Sequence, residues 1–113
     1  MNIDELTSRI RNCSPEREVQ GLADLIAGWK CGETTVENLR YLGDKYLGNV
    51  WLSDDALRET IYALWQRFVR EEIELIHAMT MNERLFTFGL MDRFESALAD
   101  DRLKIYKKLL ANP

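Results

Sequence analysis

The single histidine of the chain, His77, follows Glu74 at the Glu-x-x-His spacing by which helical bundles hold di-iron and di-manganese sites. Such sites need two of these pairs and two further glutamates, and one histidine supplies only one pair. Glu71, Glu72 and Glu74 also spread around most of a helix at about 100° per residue, so they do not converge on one ion. The sequence therefore predicts neither a metal site nor a bound cofactor.

Other catalytic patterns are equally thin. The sequence has no GxxxxGK loop, no GxGxxG after a strand and no GxSxG elbow. Cys13 and Cys31 lack the close pairing of zinc ligands, and a nucleophilic pair of either cysteine with His77 could form only in space. Nothing beside either cysteine supports such a pair, and both read as free thiols in a reducing compartment. We therefore predict a protein that is not an enzyme.

Helix signals punctuate the whole chain, whereas strand signals are nearly absent. Capping-box spacings begin at Asn2, Thr34 and Thr80, and serine precedes Pro15 and Asp54 at two further helix starts. Between these signals, apolar residues recur three or four positions apart. The pattern predicts an all-α fold in which residues 1–113 form a single compact bundle of about six helices.

One of these helices is predicted to be long and central. No proline or glycine interrupts residues 54–79, which allows one helix of about 25 residues and nearly 38 Å. The preceding helix contains Gly43, which costs about 1 kcal/mol relative to alanine. Gly43 therefore indicates either a break in that helix or a close packing contact, and Gly48 is its predicted stop.

Charge and hydropathy bear on location and partners. No apolar run reaches the length of a membrane span, and the first residues do not resemble a secretory signal, so we expect a cytoplasmic protein. Net charge is −4, and residues 1–56 carry ten acids against six bases, while the rest of the chain carries nine of each. This balance disfavours nucleic acid and favours a basic protein partner.

Large amphipathic rings suggest where a partner would bind. Trp51 stands in an irregular stretch among several acids, and tryptophan is a preferred interface anchor. An alternative reading is that Trp51 closes one end of the bundle. We define two groups of candidate partner-binding residues. The first acidic group is Asp44, Asp54, Asp55 and Glu59 near Trp51, and the second acidic group is Glu71, Glu72 and Glu74.

The stretch TMNERLFTFGLMDRFESAL (80–98), followed by DDRLKIYKKLL, resembles the C-terminal part of small, acidic, all-helical bacterial immunity proteins. These proteins belong to toxin–immunity systems such as contact-dependent growth inhibition. The resemblance covers about a third of the chain and rests on caps and core positions. It implies a protein that binds and neutralises one cognate toxin, often a basic nuclease, by occluding its active site. It assigns no role to any single residue.

Two other functions remain open at this level. A homo-oligomeric adaptor is suggested by a wide apolar face that exceeds one helical stripe and consists of Phe86, Phe88, Leu90, Met91 and Phe94. Such a protein would be a dimer or larger, whereas an immunity protein could be a monomer or a homodimer. A small enzyme or ligand-binding bundle would need a pocket that no motif announces.

Overall fold

Seven α-helices and two short helical turns form the chain in the computed structural model, which describes all residues from Met1 to Pro113. The helices are α1 (Ile3–Cys13), α2 (Arg17–Trp29), α3 (Val36–Asn49), α4 (Asp55–Phe68), α5 (Met81–Thr87), α6 (Met91–Ser96) and α7 (Ala99–Lys108). A π-helical turn (Val69–Ile73) continues α4, and a 3-10 turn (Ile76–Ala78) follows. The all-α prediction is confirmed, with seven helices where about six were expected. None of them has both the length and the apolar character needed to cross a bilayer.

The predicted long central helix is shorter than expected as an α-helix. It is α-helical only from Asp55 to Phe68 and then widens, so that the Glu74 amide donates to the Val69 carbonyl at 2.8 Å. A regular helix would place Glu72 four residues after the buried Phe68, on the face that packs into the core. The extra residue of the π turn moves the buried Ile73 onto that face instead.

Two of the predicted capping boxes are present. The side chain of Asn2 accepts from the Glu5 amide at 2.9 Å, and that of Thr80 accepts from the Glu83 amide at 3.2 Å. The remaining box, predicted at Thr34, is wrong by one residue, because Thr35 is the N-cap of α3.

Two serine caps were also predicted wrongly. The Ser14 hydroxyl accepts from the Glu16 amide in a turn before α2, which begins only at Arg17. The Ser53 hydroxyl donates to the Glu16 carboxylate at 3.0 Å, and Asp54 caps α4 instead. Ser53 is thus drawn into a contact with the residue before α2, 37 positions away, which local sequence does not reveal.

The core is one continuous cluster of buried side chains to which both halves of the chain contribute. Helix α1 packs against α2 and α4, and α2 packs against α3. A row of aromatic rings runs through the interior from Trp65 to Phe68, then to Phe88 and Trp29, with centroids 5.8–6.3 Å apart. Phe88 follows α5, so this row ties the C-terminal helices to the first four.

Two cations from the C-terminal helices hold the end of α2. The Lys108 ammonium is buried and donates to the carbonyl oxygens of Trp29 (2.6 Å), Gly32 (3.0 Å) and Thr34 (2.9 Å). It also lies 3.8 Å from the centre of the Trp29 ring, at cation–π distance. The guanidinium of Arg93 donates to Gly32 as well. Because helix ends leave carbonyls without partners, these contacts satisfy groups that would otherwise be stranded. We call them the cation clamp.

The close-packing interpretation of Gly43 is confirmed, and the predicted stop at Gly48 is wrong. Helix α3 continues unbroken through both glycines to Asn49. A Cβ atom on Gly43 would overlap the buried indole ring of Trp65, whose Nε1–H donates to Asp44 at 2.8 Å. A Cβ atom on Gly48 would meet nothing within 4 Å. Of these two glycines, Gly43 is therefore the one that packing requires.

We expect Gly43→Ala to lower the free energy of unfolding by about 2 kcal/mol, because the methyl group displaces a rigid ring from the core. Gly48→Ala is the matched control in the same helix, and we expect it to raise stability by up to about 1 kcal/mol through helix propensity. Urea unfolding followed by circular dichroism measures both. Equal changes of the same sign would contradict the packing argument.

The cation clamp also predicts a dependence of stability on pH. Burial, aided by the charge of Arg93, lowers the pKa of Lys108 from 10.5 to about 8. Between these values the unfolded chain binds more protons at this site, so the contribution of Lys108 to the free energy of unfolding rises with pH. The carbonyl acceptors and the Trp29 ring favour the charged form. The rise in the free energy of unfolding over this pH range is therefore at most about 3 kcal/mol.

The measurement is the unfolding free energy of the wild type minus that of Lys108→Met, followed from neutral pH to pH 10.5. Lys107→Met removes an exposed charge from the same helix and serves as the control. A flat difference for Lys108→Met would show that the folded and unfolded chains hold this proton equally well.

Candidate partner-binding surface

The loop between α3 and α4 presents Trp51 to solvent. Its side chain is 75% exposed, whereas the next residue, Leu52, is 2% exposed. The chain leaves α3 in an extended conformation at Val50, so successive side chains point in opposite directions. Leu52 therefore closes this end of the core, and the alternative that Trp51 does so is wrong.

An open groove lies beside this loop, between α2 and α3. We call it the α2–α3 groove, and its volume of about 570 Å³ is within the range of small-ligand sites. Its walls are mainly apolar and are formed by Leu25, Leu42, Lys45, Tyr46, Asn49 and Val50. Asn49 and Val50 immediately precede Trp51, so the loop that carries the exposed indole begins at this groove.

Tyr46 forms a fixed wall of the groove. Its hydroxyl donates to the Glu18 carbonyl at 2.6 Å and crosses α2 at Gly21, where any Cβ atom would overlap that hydroxyl. Burial raises the pKa of Tyr46, and the charges of Glu18 and Asp24 raise it further. Asp24 is itself paired with Arg11 at 2.8 Å, whereas Glu18 joins no ion pair.

The first acidic group does not form one patch. Asp54 accepts from the Ala56 amide at 2.9 Å as the cap of α4, and Asp55 pairs with Arg58 at 3.2 Å. Glu59, one turn further along α4, is exposed and joins no ion pair. These three acids share the start of α4, next to the Trp51 loop.

Asp44 belongs with the second acidic group. Its carboxylate receives the Trp65 indole N–H and lies 3.9 Å from Arg40, which also pairs with Glu74 at 3.1 Å. Glu71 pairs with Arg67 at 3.1 Å. Glu72 receives the Met1 amine, also at 3.1 Å. Every acid of the second group is thus paired with a cation of the same chain, which weakens its field toward a partner.

The groups considered for catalysis do not assemble into a site. No three His, Cys, Asp or Glu side chains come close enough to hold a metal ion, and His77 is exposed. The Cys13 thiol donates to the Arg9 carbonyl at 3.1 Å, and burial raises its pKa, which is opposite to the activation of a nucleophile. Cys31 is exposed, and neither thiol contacts His77.

Most of the wide apolar face that suggested a homo-oligomer is buried within the folded chain. Phe88 and Leu90 are buried, and Met91 and Phe94 pack against the core from its margin. Phe86 alone remains substantially exposed, at 64%. One exposed ring does not make an extended face, so this set of residues no longer supports self-association.

The groove itself was missed from the sequence, although a signal for it exists. On α3, Val36, Leu39 and Gly43 form the buried row, while Leu42 and Tyr46 form a second row one position away. The two residues of this second row are only half-buried, and they form walls of the groove. A helix with two adjacent apolar rows is the pattern that could have predicted it.

We expect Trp51 to dominate quenching of the intrinsic fluorescence by acrylamide, because Trp29 and Trp65 are buried. Trp51→Phe should remove most of the quenchable emission without lowering the melting temperature. In guanidinium chloride, where all the tryptophans are accessible, the wild type and the variant should be quenched alike. Unchanged quenching of the folded variant would mean that Trp51 is covered in solution.

Comparison with protein families, with curated proteins and with solved structures finds no match for this chain. Its function is therefore argued from its own surface. The features of that surface are an apolar groove, an exposed tryptophan in the loop that follows it, and acidic residues at the start of α4.

Proposed function

We propose that this protein is a non-catalytic immunity protein, which binds a cognate basic bacterial toxin and blocks its active site. A nuclease is the toxin class that the chemistry favours, because its active site attracts phosphate and would equally attract carboxylates. The observation that carries the proposal is the 75% exposure of Trp51 beside the α2–α3 groove.

Exposed rings next to a groove are typical of protein interfaces. Tryptophan and tyrosine bury large areas with few rotatable bonds, and they are enriched among the residues that dominate binding energy. Trp51 and Tyr41 are both exposed here, and the Tyr41 ring is held by Lys45 at 5.8 Å. Burying Trp51 against a partner would recover apolar surface that the folded monomer leaves in water.

Charge supports a basic partner. Asp54, Asp55 and Glu59 lie at the start of α4 beyond Trp51, and Glu59 joins no ion pair. Complementary charges at the rim of an interface mainly accelerate association, to about 10⁸ M⁻¹s⁻¹ or more at low salt. Binding that rests on this field should therefore weaken as salt rises.

The first test is affinity capture of the tagged protein from its native host at low and high salt, with mass spectrometry of what is retained. We expect one basic protein in near-equal amount, retained less at high salt. Its activity, nuclease activity first, should disappear when one equivalent of this protein is added. Recovery of no basic protein, or of one whose activity is unaffected, would overturn the proposal.

The charges of α4 are tested with that partner. We expect Asp55→Lys with Glu59→Lys to slow association by about tenfold at low salt and to reduce its salt dependence. Glu37→Lys with Glu95→Lys is the matched control, because it changes net charge equally at exposed acids that join no ion pair. Surface plasmon resonance gives both rates. Equal slowing by the two double variants would mean that net charge acts without a defined acidic surface.

A further inference from the structure

The lining of the α2–α3 groove divides into an apolar floor and a polar rim. The floor consists of half-buried apolar side chains, those of Leu25, Leu42, Tyr46 and Val50. The rim consists of the exposed side chains of Lys45 and Asn49. Small-molecule sites in proteins combine apolar walls with a few polar groups that fix the orientation of the ligand. The groove has this composition, and its volume of about 570 Å³ is sufficient for a small molecule.

The polar rim presents hydrogen-bond donors that have no anionic partner. The Lys45 ammonium joins no ion pair and lies 5.8 Å from the centre of the exposed Tyr41 ring. Asn49, one helical turn further on, donates one N–H of its side-chain amide to the Lys45 carbonyl at 2.7 Å. The amide nitrogen carries a second hydrogen, which remains for a ligand. Both donors therefore favour a carboxylate at the rim.

The acids of α2 are kept apart from this rim. Glu18 and Asp24 line a second depression, which shares only Tyr46 with the groove, so the Tyr46 side chain forms the wall between the two. Asp24 is also paired with Arg11 at 2.8 Å. No carboxylate lines the groove itself, and Lys45 is its one charged residue. The charge that a ligand in the groove would meet is therefore positive.

We propose that the α2–α3 groove binds a small amphipathic carboxylate, a molecule that carries one carboxylate on an apolar chain. The carboxylate accepts hydrogen bonds from Lys45 and Asn49, and the apolar chain lies against the floor. The α3 wall runs from Leu42 to Val50, about 12 Å at 1.5 Å per residue, which matches a chain of about eight carbons. The site is independent of the proposed function, because Trp51 does not line the groove.

The probe is sodium octanoate, titrated into the nitrogen-labelled full chain and followed by NMR. We expect saturable shifts of the Asn49 side-chain amide and of the backbone amides of Leu25 and Val50, which line the groove. Octylammonium carries the same chain with the opposite charge, and we expect it to bind about tenfold more weakly, because it loses the rim donors and is repelled by Lys45. Acetate carries the charge without the chain and should not saturate at concentrations that saturate octanoate.

Variants of the protein separate the rim from the floor. Lys45→Met keeps the apolar stem and removes the charge, so it should weaken octanoate binding about threefold and remove most of the preference over octylammonium. Lys107→Met makes the same change at an exposed lysine of α7 that also joins no ion pair, and it should leave octanoate binding unchanged. Leu42→Ala should weaken both ligands alike, since it removes apolar contact and leaves the charge in place.

Several results would overturn the proposal. Equal binding of octanoate and octylammonium by the wild type would show that the rim does not select an anion. Equal binding of octanoate by Lys45→Met and Lys107→Met would remove the role of Lys45. Shifts centred away from the groove would place the ligand elsewhere. Shifts of the groove amides on dilution of the protein without ligand would assign the groove to a second copy of this chain, which would also overturn the proposal.

Discussion

The buried ammonium of Lys108 is the contact on which the arrangement of the molecule depends. It joins a residue of the last helix to carbonyls at the end of α2 and in the turn before α3, so one side chain connects three elements. Arg93 adds its guanidinium to the same turn and is itself held by Asp101 at 3.0 Å. Desolvation of a charge is expensive, and the clamp tolerates it because the ammonium donates to three carbonyl oxygens and lies over the Trp29 ring. Removing the cation would leave the Thr34 carbonyl without a donor and would take one of two donors from the carbonyls of Trp29 and Gly32.

By holding the turn between α2 and α3, the clamp ties the end of α2 and the start of α3 to the last helix. Trp65 of α4 fixes α3 against it, because its ring lies directly against Gly43 and its N–H donates to Asp44. The α2–α3 groove is the space left between the two helices on the side away from these contacts. A surface placed on elements this well supported is suited to binding, since little further ordering is needed when a partner arrives.

The charge that the surface presents to a partner depends more on local ion pairs than on the net charge of the chain. The chain carries an excess of four acids, yet Glu71, Glu72 and Glu74 are each neutralised within a few ångströms. Asp24 on α2 is likewise paired, with Arg11 at 2.8 Å. Glu59 at the start of α4 joins no ion pair, so its charge is the one in the two acidic groups that is left for a partner.

The sequence by itself determined the fold class, because caps and apolar periodicity are local signals, as the box at Thr80 shows. It also indicated a packing contact at Gly43, since a glycine within a helix needs a compensating reason. Tertiary structure alone decided that Trp51 faces solvent and that Asp44 lies with Glu74, because both outcomes depend on how helices distant in sequence pack. The groove likewise exists only once α2 and α3 pack side by side, and the turn that joins them is held by Lys108, 79 residues after the Trp29 carbonyl that it contacts.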